Sequence, residues 1–540
     1  MIVKDVELSP KTKVANDYIN QQNVTRFFDY GFSDECLAKR YHDLQARSYE
    51  RKRLVSHLKM YNKQFLYHEG ALTEVDKLAD EKSVAVVGGQ QAGILTGPLY
   101  TIHKVLTILN VAHKQEQKLG VPVVPLFWIA GEDHDFDEIN HLFVTKGDQL
   151  KKHVIPQATN KAPASTIHMD QSLVQEWVTD LFRYFGETKS TKEILLKLEE
   201  LIERSSTYVH FFAEVIRWLF KDTNLVLIDS GDEQLRTIES PHFKQMIEQN
   251  EQIQTSFLAQ AEKLQAMGYG TPIELANDQA NLFYLHDGQR QLLKRDAEGT
   301  YYFSKNEAVR FSQVELLEIA EKEPQRLSNN VVTRPLMQEM VLPVLAFVAG
   351  PGEIAYWATL KQVFHSFHYT MPPLIPRMNI TIVDRESGKW LEKKGLALET
   401  VLQESLQAEK ERWYREQRQW DVSTVANDVI AQVEQAHERL RSLATDIDPG
   451  LAALSEKNGQ KIHSEVRFLE QKMEERIREG YEVELRRYDH VERHLSPLGG
   501  APQERIWNIF YFLNLYGSDF LTRMSRVDFP QTHSHKVIYV

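Results

Sequence analysis

Apolar positions in the first 80 residues recur at helical spacing, as at Leu54, Leu58, Tyr61 and Phe65, between charged residues, and predict a helical lead-in. At 83–90 the pattern changes. SVAVVGGQ is a short β-branched run ending in paired glycines, and PLYTIHKVLTILNVAHK at 98–114 is an amphipathic helix opened by Pro98. The same strand, turn and helix pattern recurs at 121–141 (VPVVPLFWIAGEDHDFDEINH), 224–240 (NLVLIDSGDEQLRTIES) and 342–364 (LPVLAFVAGPGEIAYWATLKQVF). A further apolar segment, PPLIPRMNITIVD, occupies 372–384. Apolar strands alternating with helices are βαβ units, whose right-handed crossovers place every strand-end loop along one edge of a parallel sheet of about five strands. The fold class is therefore α/β, with a Rossmann-like parallel core over 81–385.

Two insertions interrupt that core. One, at about 150–222, is helical, with LVQEWVTDLFRYF at 173–185 and FFAEVIRWLF at 211–220. The other, at about 268–330, reads as a small β-rich subdomain, because NLFYLHDGQRQLLKRDAEGTYYFS contains two strand-like runs with DG and EG turn signals. Insertions of this kind often close over a site. From 386 to 500 helix formers and mixed charges dominate. Val422, Val425, Val429, Val433, Ala436, Leu440, Leu443 and Ile447 step by threes and fours, Pro449-Gly450 breaks the helix, and a second stripe runs from Ile462 through Val466, Leu469, Met473 and Ile477 to Leu495. This predicts an antiparallel coiled-coil arm, and an apolar stripe of such length predicts a homodimer formed through it. Residues 501–540 return to an aromatic helix, RIWNIFYFLNLYG, expected to pack on the core.

Composition narrows the function classes. A net charge of -12 over 540 residues gives no general attraction to nucleic acid or anionic membranes. The single cysteine, Cys36, excludes an intrachain disulfide and a multi-cysteine metal site, and fits a reducing compartment. MIVKDVELSPKTK lacks the apolar core of a signal peptide, and LPVLAFVAG at 342–350 is too short to span a bilayer, so a cytoplasmic location is expected.

Three strand-end segments carry candidate chemistry. In GGQQAGILTGPLYTIHK (88–104) a glycine-rich turn leads into a helix N-terminus, a setting that favours an anion. It has neither P-loop nor G-x-G-x-x-G spacing. It is more similar to the first strand, loop and helix of class I tRNA synthetases and related nucleotidyltransferases, with a structural turn as the plain alternative. Gln91, Thr96, Gly97, Tyr100 and Lys104 are its candidate nucleotide-binding residues, with His103 a candidate catalytic group. WIAGEDHDFDEINH (128–141) concentrates titratable groups just after a buried strand, where open α/β sheets place ligand-binding residues. Glu132, Asp133 and His134 are candidates to orient or deprotonate an amine, and Trp128, Asp135 and Asn140 to bind substrate. If a helix begins near Asp135, His134, Glu138 and His141 share a face. A solvated acidic cap is the alternative, and the absence of HExxH spacing argues against zinc. VAGPGEIAYWA (348–358) supplies Glu353 and Tyr356, with Arg334 and Arg377 as carboxylate clamps or structural ion-pair partners. His533 and His535 read as surface features.

Taken in order, GGQQAGILTGPLYTIHK, FWIAGEDHDFDEINH and FVAGPGEIAYW, followed by a charged coiled coil, resemble the cysteine-adding family of bacillithiol biosynthesis over nearly the whole chain. The resemblance implies a Rossmann core with two connecting-peptide insertions and a dimerising coiled coil. It also implies a ligase that adds cysteine to glucosaminyl-malate, and a nucleotide of the ATP or ADP type, with Mg2+ a natural companion. On that basis Thr96, Gly97, His103 and Lys104 would meet phosphate, and Arg334 and Arg377 the malate carboxylates. A class I synthetase-like nucleotidyltransferase acting on another small molecule, a metal-dependent hydrolase and a non-enzymatic coiled-coil assembly protein remain the rival readings.

Overall fold

The computed structural model describes residues 1–8, 12–296, 298–305, 307–527, 529 and 533–540. They form two units, one of Met1–Arg385 with Gln503–Val540 and one of Glu386–Pro502. In chain order the strands are β1 (Ile2–Val6), β2 (Val84–Gln90), β3 (Val123–Ile129), β4 (His141–Lys146), β5 (Gln149–Val154), β6 (Val226–Asp229) and β7 (Gln279–His286). They continue as β8 (Gln289–Arg295), β9 (Tyr301–Ser304), β10 (Arg310–Ser312), β11 (Leu327–Asn329), β12 (Val344–Ala349), β13 (Leu374–Pro376), β14 (Ile380–Val383) and β15 (His535–Tyr539).

The core is a five-stranded parallel sheet in the order β13-β12-β2-β3-β6. The chain builds outward from β2 through β3 to β6 and then returns to the other side of β2, so the topological switch point lies between β2 and β12. Alternation along β2 covers both faces: Val84 and Val86 enter one hydrophobic core, Ala85 and Val87 the other. The helix Tyr100–Leu119 follows β2, and a left-handed Gly120 ends it.

Three departures from the sequence expectation bear on the site. After β3 the expected helix is a single turn, Phe136–Ile139, and the chain then forms the β4–β5 hairpin in register His141↔Val154 to Lys146↔Gln149. HLFVTK and QLKKHV favour strands, and Gly147, at φ +60°, makes the turn between them. The first insertion therefore begins near 131 rather than 150, with its helices Gln171–Phe185, Thr191–Arg204 and Tyr208–Leu219 following the hairpin. Secondly, PPLIPRMNITIVD holds two strands, and only β13 joins the core. β14 pairs in parallel with β15, which pairs antiparallel with β1, so the helical lead-in and the aromatic C-terminal segment each contribute an unforeseen strand to a separate three-stranded sheet. Thirdly, His535 is not a surface feature. It lies half-buried in β15 with Nε2 2.7 Å from Thr381 Oγ1, and burial pushes its pKa down to about 4. The second insertion forms an antiparallel sheet, β10-β9-β8-β7-β11.

In the unit Glu386–Pro502 the helices Val422–Ile447 and Ala452–Gly480 run antiparallel around a turn at Pro449–Leu451. Arg467–Asn427 and Arg441–Glu456 join them at successive levels, and Arg418, just before the first of them, pairs with Glu474. Their seam includes small and polar groups: His437 packs on Gly459 and bonds Asn458, and Ala426 is buried. The apolar stripe is divided: Val422 is buried and Val433, Ile462, Val466 and Ile477 are half-buried, while Val425, Leu440 and Ile447, 61%, 60% and 69% exposed, face outward. Among the described residues no helix is long and apolar enough to cross a membrane.

Candidate functional site

A cavity of about 480 Å³ opens at the carboxyl ends of β2 and β3. That is where an open parallel sheet with this strand order offers a crevice. The strand ends form its floor through Gly89–Gln91, Trp128, Ala130 and Glu132–Asp135, and the helix Pro351–Trp357 adds Glu353 and Tyr356. The second insertion supplies the facing wall: Phe283 and Arg290 from β7 and β8, then Asn329 and Asn330, and Arg334 from the helix Thr333–Val341.

Packing sets the loop geometry. A Cβ on Gly89 would stand 2.9 Å from the Trp128 carbonyl oxygen, so glycine there allows β2 to lie against β3. A Cβ on Gly131 would stand 2.1 Å from Asp229 Oδ1, so the loop after β3 rests directly on the end of β6. Ser165 N–H donates to Gly131 O at 2.9 Å and Ala164 N–H to Asp133 O at 2.7 Å, pinning the loop from the other side. Asp229 is fully enclosed, and burial pushes its pKa up to about 7.

The titratable groups fall into distinct roles. Glu132 turns inward and pairs with Arg236, which also pairs with Glu239 at 2.6 Å; its Oε2 accepts from Asn329 N–H at 3.3 Å. This carboxylate ties the strand end to the insertion rather than standing free as a base. Asp133 accepts from its neighbour's backbone, His134 N–H, at 2.7 Å and from Gln91 Nε2 at 2.7 Å, and Gln91 also reaches Glu138 at 2.7 Å. His134 Nδ1 lies 3.3 Å from Arg290 Nη1. Since a guanidinium keeps its protons, Nδ1 is assigned as the acceptor, which places the hydrogen of the neutral ring on Nε2. Burial lowers the His134 pKa and the Arg290 charge lowers it further. Glu353 accepts from Lys104 Nζ at 2.6 Å and from Gly350 N–H at 2.7 Å, while Lys104 also donates to Gly89 O at 2.6 Å. Burial lowers the Lys104 pKa against the pull of Glu353. Arg334 donates to the Tyr356 hydroxyl and to Gln338 Oε1. Trp128 Nε1 and Asn329 Oδ1 are buried without a hydrogen-bond partner.

The structure thus brings Gln91, Trp128, Glu132, Asp133, His134 and Asp135 together with Arg334, Glu353 and Tyr356. The other candidates lie elsewhere. His103 is fully buried in the helix Tyr100–Leu119, with neither ring nitrogen hydrogen-bonded; burial, then Arg377 and His535, hold its pKa well below the usual imidazole value. Thr96 is also fully buried. The turn around Thr96 and Gly97 is covered by the C-terminal segment, where Asn508 Nδ2 donates to Leu95 O and Gly97 O, and Trp507 O accepts from Leu99 N–H. The phosphate contacts expected of Thr96, Gly97 and His103 are not available in this cavity, because those groups are core of the protein. Tyr100 lies under the Arg377 guanidinium, 5.5 Å from ring centroid to Cζ, and Arg377 bonds Asn379 and sits 3.6 Å from Glu504, outside the cavity. Lys104 stands behind Glu353, and Asn140 is buried on Asp137. His134, Glu138 and His141 share no helical face, since the helix is one turn long and His141 opens β4. Among the described residues no cluster of His, Cys, Asp and Glu is arranged to hold a metal ion on its own.

Sequence reasoning missed Arg290, Asn329, Asn330 and Phe283 in the cavity, and Arg236 and Asp229 beneath it. Two of them carried a local signal: Arg236 by its spacing of three from Glu239 on a helix, and Asp229 by its place at the end of an apolar strand.

The geometry agrees with comparison to known proteins. A family model described as "Bacillithiol biosynthesis BshC, N-terminal Rossmann-like domain" matches residues 1–378, and "Bacillithiol biosynthesis BshC, C-terminal coiled-coil domain" matches 380–540. The chain belongs to the BshC family. It is 43% identical to a BshC protein of Geobacillus thermodenitrificans, 42% to one of Halalkalibacterium halodurans and 38% to one of Bacillus licheniformis, each alignment covering 100% of both chains. All three relatives carry the name "Putative cysteine ligase BshC". The Rossmann-like core and coiled coil expected from sequence are both present in the BshC pattern. The C-terminal family match includes β14 and β15, which the structure assigns to the unit containing the core.

Proposed function

We propose that this BshC-family chain is a cytoplasmic carbon–nitrogen ligase that joins the carboxyl group of cysteine to the amine of glucosaminyl-malate, the last step of bacillithiol formation. The observation that carries the reading is the strand-end cavity. It gathers Asp133, His134 and Glu353 with a buried indole N–H and a buried amide oxygen that have no partner within the protein, as a site for a small polar substrate requires.

The residues divide the work as follows. Glu132 and Glu353 have their charges balanced by Arg236 and Lys104 and hold the two walls in place. Asp133 is the carboxylate with acceptor capacity left toward the cavity, and it takes the proton that the attacking amine must lose. The neutral His134, with hydrogen on Nε2, donates to the oxygen on which negative charge develops as the amine adds. Trp128 and Tyr356 exclude water from one side. Amide formation from a free carboxylate is uphill in water, so the reading includes ATP with Mg2+ as the source of carboxylate activation. The turn at Thr96–Gly97 and His103 do not fit its phosphates, and no step here is routed through it. The outward-facing part of the apolar stripe on the helical hairpin supports a homodimer.

The test is product formation by mass spectrometry, with pure protein, cysteine and glucosaminyl-malate, with and without ATP and Mg2+. Bacillithiol formed only with ATP is the expected result. No product under any condition from correctly folded protein would overturn the ligase reading.

A further inference from the structure

The charges lining the cavity are not all paired by direct contact. Glu132 contacts Arg236, and Glu353 contacts Lys104. Asp133 and Asp135 stand on the strand-end side, and two guanidiniums, Arg290 and Arg334, line the cavity without touching a carboxylate. Arg334 has no carboxylate within hydrogen-bonding distance among the described residues; its partners are the Tyr356 hydroxyl and the Gln338 amide oxygen. Arg290, with its side chain 7% exposed, donates to Asn329 O at 2.5 Å, Ser328 Oγ at 2.9 Å and His134 Nδ1, while its nearest carboxylate oxygen, Asp133 Oδ1, is 3.9 Å away. Elsewhere in the same unit the buried guanidiniums of Arg40 and Arg236 each contact a carboxylate directly, while Arg217, buried on Asn62 Oδ1, lacks one among the described residues but does not line this cavity. What distinguishes Arg290 and Arg334 is that they lack that contact at the wall of a cavity, where an anion from outside can supply it.

The two cations are held on one wall. Arg290 grips Ser328 and Asn329 at the end of β11, and stacks 3.7 Å from the Phe283 ring centroid, which fixes the plane of its fork. Arg334 stands in the first turn of the next helix, whose N-terminus is capped by Asn330 Oδ1 accepting from Val332 and Thr333 N–H. Asn330 lies between them in sequence and lines the same cavity. Arg377, the other guanidinium expected for this task, is committed to Asn379 and Glu504.

We infer that Arg290 and Arg334 form a two-fork clamp for a small dicarboxylate, and that Arg290 is the specificity-determining residue for the malate portion of the acceptor. The assignment to malate rests on the ligase reading; the preference for a dicarboxylate rests on the wall itself. Each fork takes one carboxylate, so a ligand with a single carboxylate uses only one of them.

Calorimetric titration of the full chain with L-malate, L-lactate, inorganic phosphate and ATP tests this directly. L-malate is expected to bind more tightly than L-lactate. Arg290→Gln and Arg334→Gln are each expected to weaken malate binding by about tenfold to a hundredfold, with lactate much less affected in Arg290→Gln. Arg290→Lys keeps the charge without the fork and should recover only part of the binding, which separates lost recognition from lost folding. In the ligation assay Arg334→Gln should raise KM for glucosaminyl-malate more than it lowers kcat, whereas Arg290→Gln, which also releases His134 Nδ1, should change both. Malate binding that depends on both arginines in a protein that forms no bacillithiol would sustain the clamp and sink the ligase reading. Equal binding of malate by wild type and variants, no binding by wild type, or phosphate or ATP displacing malate and losing affinity equally in the variants, would overturn the clamp.

Discussion

Replacing Arg236 by methionine leaves two buried carboxylates without the cation they share. Glu132 and Glu239 have side chains 6% and 0% exposed, and Arg236 3%, so solvent screens none of the three. Removing one partner of a buried ion pair costs about 3–5 kcal/mol, because the remaining charge is uncompensated. Two features place the expected loss toward the lower end of that range. Glu132 retains the Asn329 N–H, and Glu239, which burial already pushes up to about 7, can take up a proton. The sign of the pH dependence follows: a carboxyl group whose folded pKa is raised contributes stability that is full below its unfolded value and is lost as pH rises through the folded one. The deficit of Arg236→Met should therefore be larger at pH 8 than at pH 5. Hydrogen exchange of the β3 and β6 amides reads the opening of this sheet separately from residues 386–502. Arg236→Met/Glu132→Gln/Glu239→Gln, which removes the charges as well, should regain most of the loss. A deficit below about 1 kcal/mol in the single variant, or none regained in the triple, would show that the triad does not carry the charge balance argued for it.

Asp229→Asn should flatten the fall in stability that wild type shows as pH rises from 3.8 to about 7, since burial raises this group most and the protonated form suits the folded state; unfolding midpoints at pH 4.5 and 7.5 that keep their wild-type difference would refute this. Asn508→Ala strips the Leu95 and Gly97 carbonyls of a donor and the helix Ile509–Tyr516 of its cap, for a loss of about 2–4 kcal/mol in denaturant unfolding; a change within 0.5 kcal/mol of wild type, roughly the spread of surface substitutions, would contradict it. Leu440→Glu with Leu443→Glu should convert a dimer to a monomer by light scattering with helix content unchanged, and a monomeric wild type or a persistent dimer would count against the outward stripe as the interface.

Much of the scaffold was legible because it is locally encoded. VAVVGGQ, VVPLFWI and VLAFVA are continuous apolar runs of the kind a strand buried on both faces requires, and each led to a correctly placed member of the parallel sheet. The polar residues following β3 were legible for the same reason. What failed was long-range pairing. KVIYV near residue 538 has strand composition, yet its neighbours lie at 2–6 and 380–383, and no local pattern names them. Arg290 escaped notice because QRQLLKR reads as an ordinary half-exposed strand; its place in the cavity comes from the insertion folding back over the strand ends. His103 failed in the opposite sense. A histidine one turn into a helix after a glycine-rich loop suggests an anion contact, but burial of nearly every residue from Thr101 to Ile108 turns that stretch into protein interior.

The three-stranded sheet also sets an order of events during synthesis. β1 and β14 have no common partner until β15 has been made, and β15 follows β14 by the whole length of the helical hairpin unit. At about 5–20 residues per second, roughly 8–30 s separate the emergence of these two neighbours. During that interval the nascent chain presents Ile380–Val383 with an open strand edge, and Ile382, fully buried in the finished protein, must be shielded some other way. A ribosome arrested shortly before β15 should therefore hold a chain whose first and middle segments are both cleaved readily by protease, and β15 acts as the latch that makes the large unit resistant.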